Sequence, residues 1–390
     1  MKYDFTKLTN RRNTNSYKWD VKEDVLPMWV ADMDFETAPK IIEAIQSKVS
    51  KGILGYTSIP DEWAIAYQSW WERRHNYSLK KDALIFALGV VPILSSTVRK
   101  FTNKGNKVVI QSPVYNIFYN SILNNGCEVL ENTLIYKDNQ YEMDFEDLEV
   151  KLSDPLTKLM ILCNPHNPVG KIWNRETLNR VGELCFKHNV LVISDEIHCD
   201  ITEPNVHYIP FASVSPICEQ NSITCIAPTK AFNLAGIHSA AAYVVNPEIH
   251  KKLNRALNTD EVAEPNAISI EATLAAFNQG EEWLEELREV LFSQRKLSQG
   301  YIKETIPELN VINANATYLL WIDCSKLTQN TEELCKFLEE EVGLKIVSGH
   351  EYGKGGNAFI RVNIACPKER LMDGLERLSK GIKLFKGVTS

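Results

Sequence analysis

The feature that most restricts this chain is a series of short apolar runs separated by stretches long enough to form helices. The runs are ALIFALG (83–89), KVVIQSP (107–113), CEVLENT (127–133), KLMILCN (158–164), VLVISDE (190–196), SITCIAP (222–228) and AAAYVV (240–245). Their hydrophobic residues are nearly continuous rather than alternating, so the strands they form must be covered on both faces. Between the fourth and fifth runs, Asn174 opens a helix as N-cap, with Leu178, Val181, Leu184 and Cys185 on one face. Strands alternating with helices specify an α/β fold: a large domain with a mainly parallel seven-stranded sheet sandwiched by helices.

The pattern changes after about residue 281. A long helix over 281–304 carries Leu284, Leu287, Val290 and Leu291. It is followed by a strand at 317–324, a helix at 331–342 ended by Gly343, and strands at 344–348 and 358–364. A last amphipathic helix begins near Pro367 and buries Leu371, Leu375, Leu378 and Ile382. These elements describe a smaller α+β domain built from the N- and C-terminal segments. The expected division is 1–50 joining the small domain, 51–285 as the large domain and 286–390 as the rest of the small one.

Composition narrows the function. A net charge of −7 gives no long-range attraction to nucleic acid or to an anionic membrane, so neither is expected as a partner. No apolar run is long enough to span a bilayer, and the opening MKYDFTKLTNRRNTNSYKWD has no apolar signal core, so a cytoplasmic location is expected. The nine cysteines stand singly, as reduced and mostly buried thiols would.

In an open α/β sheet, ligands bind at the carboxyl ends of the strands, so polar residues just after apolar runs can form one site. Asp195 follows VLVIS, where a carboxylate needs a cation or several hydrogen bonds; a helix cap or an ion pair is the ordinary alternative. NPHNPVG (164–170) follows LMILC, and its two Asn-Pro steps impose a rigid, non-helical turn. Lys230 lies just beyond SITCIAP. Most lysines are solvated, but burial here would lower the amine's pKa and make it nucleophilic. Gly89, Val90 and Val91 open a helix after ALIFAL, where free backbone N–H groups favour phosphate, although a simple turn fits as well. Arg361 stands in the apolar strand AFIRVN and requires an anion, either internal or carried by a ligand. A metal site from Asp195, Glu196, His198, Cys199 and Asp200 is not expected, because neighbours on one strand point to opposite faces.

Taken in order along the chain, these residues resemble the fold type I, aspartate-aminotransferase-like superfamily of pyridoxal-phosphate enzymes. WVADMDF (29–35), GYTS (55–58), SPVYNIFY (112–119), SDEIHCDI (194–201) and PTKAFNLAG (228–236) are similar to the cystathionine β-lyase (MalY/PatB) branch. The resemblance implies that Lys230 carries pyridoxal 5'-phosphate as a Schiff base and then moves the substrate's α-proton. It implies that Asp195 pairs with the pyridine nitrogen, Asn167 bonds the phenolic oxygen and Tyr115 stacks on the ring. Gly89, Val90 and Val91 would hold the phosphate, with Thr229 and His198 also against the cofactor. Tyr56 would reach the partner subunit's site in a homodimer, and Arg361, with Asn167 and Tyr56, would bind substrate. The chain departs from the wider superfamily at His238, where many aminotransferases have arginine, at Ala227, often Ser or Thr, and at His198, commonly Tyr.

The implied reaction is carbon–sulfur lysis, an α,β-elimination that turns cystathionine- or cysteine-type substrates into thiol, pyruvate and ammonia. An aminotransferase would use the same residues, and a regulatory protein that keeps the cofactor with little turnover is a reading from another class. Pocket residues near Asp32, Asp34 and Tyr318 are candidates for selecting the sulfur substrate.

Overall fold

The computed structural model describes residues 1–389. All seven apolar runs form strands of one sheet. Their spatial order is Leu84–Ala87, Ala240–Tyr243, Ser222–Ile226, Leu191–Asp195, Thr157–Cys163, Lys107–Ile110 and Glu128–Glu131. Every pairing is parallel except the two made by Ala240–Tyr243. Side chains alternate between two cores. Leu159, Ile161 and Cys163 face Ile93, Leu94 and Leu253, while Met160 and Leu162 face Leu178 and Val181. The helix Arg175–Lys187 starts as expected, with the Asn174 side chain accepting from the Thr177 N–H at 2.8 Å.

A second, antiparallel sheet orders Asn310–Val311, Leu319–Asp323, Phe359–Asn363 and Val347–Ser348. The single strand expected over 344–348 is split. Leu344–Lys345 pairs in parallel with Leu26–Pro27, and only Val347–Ser348 joins Phe359–Asn363. The N-terminal segment captures the first half of the run. Gly343 makes this possible: it ends the helix Thr331–Val342 at φ 62°, where a Cβ would lie 2.5 Å from the Asp24 carbonyl.

The first residues lie along this second sheet. The Asp34 N–H donates to the Ala365 carbonyl at 2.8 Å, and the Asn363 N–H to that of Met28 at 2.9 Å. The helix Pro39–Ser50 then packs on the helix Ser269–Gln279. The hairpin Ile135–Lys137/Gln140–Glu142 is a further element, turned by Asp138 and Asn139, both at positive φ. Among the described residues no helix is long and apolar enough to cross a membrane.

Candidate active site

A cavity of about 500 Å³ opens at the carboxyl ends of the central strands. Its wall includes Gly89, Val90, Val91, Tyr115, Asn167, Asp195, His198, Thr229, Lys230 and Arg361, which brings every expected site residue together except one. Tyr56 is the exception. It is fully exposed, at 105%, on the stretch between Pro39–Ser50 and Asp61–His75.

The floor is set by strand register. Asp195 ends its strand opposite Cys163 on one side and Cys225 on the other. It is buried, and the one hydrogen bond to its carboxylate among the described residues is from the Ile197 N–H at 3.1 Å. Burial pushes its carboxyl up to about 6; that hydrogen bond and the charge of Lys230 offset only part of the effect. His198, also buried, is held down at about 3 by burial and then by the charges of Lys230 and Arg361, so its ring is neutral. Its Nδ1 has no hydrogen-bond partner, and its ring meets Tyr318 edge-on at 6.0 Å.

Lys230 follows the Ser222–Ile226 strand and turns its amine toward the N-terminal segment. Nζ donates to the Ala31 carbonyl at 2.6 Å, an oxygen that also accepts from the Tyr318 hydroxyl at 3.0 Å. Burial and then the charge of Arg361 bring the amine down to about 8, against the opposing pull of Asp32 and Asp195. Near neutrality such an amine exchanges its proton readily, which ordinary lysines do not.

Arg361 sits in the strand Phe359–Asn363, 5% exposed. Its NH2 donates to the Trp29 carbonyl at 2.7 Å, NH1 to Asn167 Oδ1 at 3.3 Å, and Nε finds no partner. Its guanidinium lies 5.1 Å from the centre of the Tyr352 ring. No carboxylate pairs with it among the described residues, which answers the choice left open by the sequence. The arginine is not part of an internal ion pair, and its side chain lines the cavity. At the opposite side, the helix Val90–Phe101 begins with Gly89 as N-cap and no side-chain cap, so the N–H groups of Val90 and Val91 are free toward the cavity. Pro92 has no N–H to add.

The sequence profile of the family described as aminotransferase class I and II matches residues 23–378. The chain belongs to this family. Cystathionine beta-lyase PatB of Bacillus subtilis (strain 168) is 38% identical over 384 residues, covering 97% of this chain and 99% of that protein. Protein MalY of Escherichia coli (strain K12) is 31% identical over 392 residues, covering 98% and 100%. The structure of cystalysin from Treponema denticola, which contains pyridoxal 5'-phosphate, matches with a TM-score of 0.95 at 30% identity, covering 98% of this chain and 99% of that one. The pyridoxal-phosphate-bound C–S lyase of Staphylococcus hominis matches at 0.92 and 31%, covering 98% of each chain. Within the aminotransferase class I and II family, this chain falls in the PatB/MalY branch.

Several wall residues of this family member escaped the sequence reading. Tyr17, Trp29 and the Ala31 carbonyl come from the N-terminal segment, and Glu351 and Tyr352 from the turn Gly349–Tyr352. WVADMDF carried a family signal, but nothing local marks its peptide oxygens as acceptors. Asp32, Asp34 and Tyr318 are not themselves on the wall of this cavity. Asp34 lines a separate, shallower pocket with Asp32 and Arg11. It is buried in an ion cluster with Lys18, Arg11 and Arg370 and lies off this cavity. The premise used against a metal also needs correcting, because the strand ends at Asp195 and residues 197–200 form a turn. Cys199 and Asp200 do approach His75, but Asp200 already accepts from Arg74, His75 and Trp70, which hold its carboxyl down at about 2 against the effect of burial.

Proposed function

We propose that this chain is a pyridoxal-phosphate-dependent carbon–sulfur lyase acting on cystathionine- and cysteine-type amino acids to give thiol, pyruvate and ammonia. The observation that carries this reading is a lysine amine lowered to about 8, in one cavity with a buried carboxylate and a buried guanidinium that lack ionic partners. The fit to the cofactor rests on those unmet groups. Asp195 has no countercharge bonded to it and would hold the proton on the ring nitrogen. Val90 and Val91 offer free N–H groups to a phosphate, and the Thr229 hydroxyl, unbonded to protein among the described residues, would add a donor where Ala227 has none. Tyr115 and His198 would flank the ring, and Asn167, whose Oδ1 is engaged by Arg361, would donate from its amide nitrogen to the ring oxygen.

When bound, pyridoxal phosphate supplies an electron sink for the pair left at Cα as its proton departs. Arg361 binds the substrate α-carboxylate through its unused N–H groups, which fixes how Cα is turned. Lys230 would hold the cofactor and, as a free amine, would take the Cα proton; the Ala31 carbonyl and Tyr318 mark where that free amine rests. The sulfur then leaves with the Cβ–S electron pair.

We also read the protein as a cytoplasmic homodimer in which Tyr56 reaches the partner subunit's phosphate site. The exposed apolar group Ile53, Leu54, Tyr56 and Ile59 supports the dimer, and nine unpaired cysteines support a reducing compartment. The domain division 1–50, 51–285 and 286–390 draws support from the pairing of Leu26–Pro27 with Leu344–Lys345, whereas the helix Pro39–Ser50 packs on Ser269–Gln279.

Cystathionine added to the purified, cofactor-loaded protein with no keto acid is expected to yield thiol and pyruvate over many turnovers. A single stoichiometric half-reaction would instead mark an aminotransferase. Lys230→Ala removes anchor and base together and should lower turnover by at least about a thousandfold. Unchanged activity in that variant would end the assignment.

A further inference from the structure

The cavity carries two carboxylates at different depths. Asp195 is on the floor, whereas Glu351 stands exposed on the turn Gly349–Tyr352, near the mouth beside Tyr17, which is 74% exposed. Among the described residues Glu351 makes no ion pair, and its one side-chain contact is a long one, 3.5 Å from the Asn116 amide. The charges that act on it are Arg361 and His350 on one side and Glu332 on the other. Its neighbour Tyr352 lies under the Arg361 guanidinium.

A substrate held by its carboxylate on Arg361, with Cα at Lys230, cannot extend through the floor, because the sheet closes it. Whatever follows the sulfur must run outward to the mouth. We infer that Glu351 selects substrates carrying an ammonium group beyond the sulfur, so that thioethers ending in a cation are preferred over neutral ones of the same size. The inference rests on the lyase reading and assigns to that site a specificity residue that takes no part in proton transfer.

S-(2-aminoethyl)-L-cysteine and S-propyl-L-cysteine are nearly the same length and differ by an ammonium in place of a methyl. The cofactor-loaded protein should show a kcat/KM about tenfold higher for the first, mostly through KM, which is the size of one partly exposed charged hydrogen bond. Glu351→Gln should bring the two within about twofold by weakening only the cationic substrate, and Glu351→Asp should retain part of the preference. Equal rates in the unaltered protein, or an equal loss on both substrates in Glu351→Gln, would overturn the role of Glu351 while leaving lysis intact. Pyruvate from neither substrate, nor from cystathionine, would overturn the lyase reading and this inference with it. Unchanged near-visible absorbance of the bound cofactor shows that Glu351→Gln has kept the floor intact.

Discussion

Asp195, His198, Thr229 and Lys230 reach the cavity from the carboxyl ends of neighbouring parallel strands, whereas Trp29, Val30 and Ala31 reach it from the N-terminal segment and Glu351 and Tyr352 from a late turn. The two walls also offer different things. The floor offers side chains whose proton affinities are shifted by burial: Lys230 down to about 8, Asp195 up to about 6 and His198 down to about 3. The outer wall offers peptide carbonyls, ring faces and one unpaired carboxylate. The difference separates reactivity from selection. Changes to the floor should stop or slow chemistry on every substrate, while changes to the outer wall should alter which substrate is taken.

The sharpest way to break this comparison is on the floor. Asp195→Asn should lower kcat about a hundredfold on all thioethers, since the ring nitrogen loses the anion that keeps it protonated. The same variant has a readout in the cofactor-free protein. The folded-state pKa of Asp195 lies above its unfolded value, so its ionisation opposes folding above about pH 6 and has no effect once both states are protonated, below about pH 3.8. Thermal melts should therefore find the variant more stable than the parent near pH 8 and equal to it near pH 3.5; a difference that persists at low pH would show that the cause is packing.

Arg361→Lys comes next, at the join of the two walls. A lysine keeps the charge but loses the fork, so kcat/KM should fall about ten- to a hundredfold, mainly through KM, with the spectrum of the bound cofactor unchanged. A fall in kcat alone would place Arg361 with the floor. The smallest effect is expected for Tyr56→Phe, which would remove the one hydroxyl contact that the proposed dimer supplies to the neighbouring site. Cofactor binding should weaken by no more than about fivefold, with the sedimentation behaviour of the unaltered protein retained.

The floor was legible in the sequence because each of its residues directly follows a near-continuous apolar run, and strand ends in a parallel sheet converge. Arg361 was legible for a related reason, as a lone cation in an apolar strand. The outer wall was not. The Ala31 acceptor is a peptide oxygen that nothing in the local sequence marks. Glu351 is one glutamate among many in the chain, and only the fold places it near Arg361. The split of 344–348 was hidden for the same reason, since the strand that captures its first half lies over three hundred residues away.

The run Trp29–Asp32 serves the site through its peptide oxygens. Arg361 donates to Trp29, Asn363 to Val30 and Asp32, and Lys230 with Tyr318 to Ala31. Those donors lie as far along the chain as residue 363, so during synthesis the front wall must wait for that residue to emerge. Until then a nascent chain holds its reactive lysine against an unfinished pocket, and an enzyme built this way cannot become competent before residue 363 has been made.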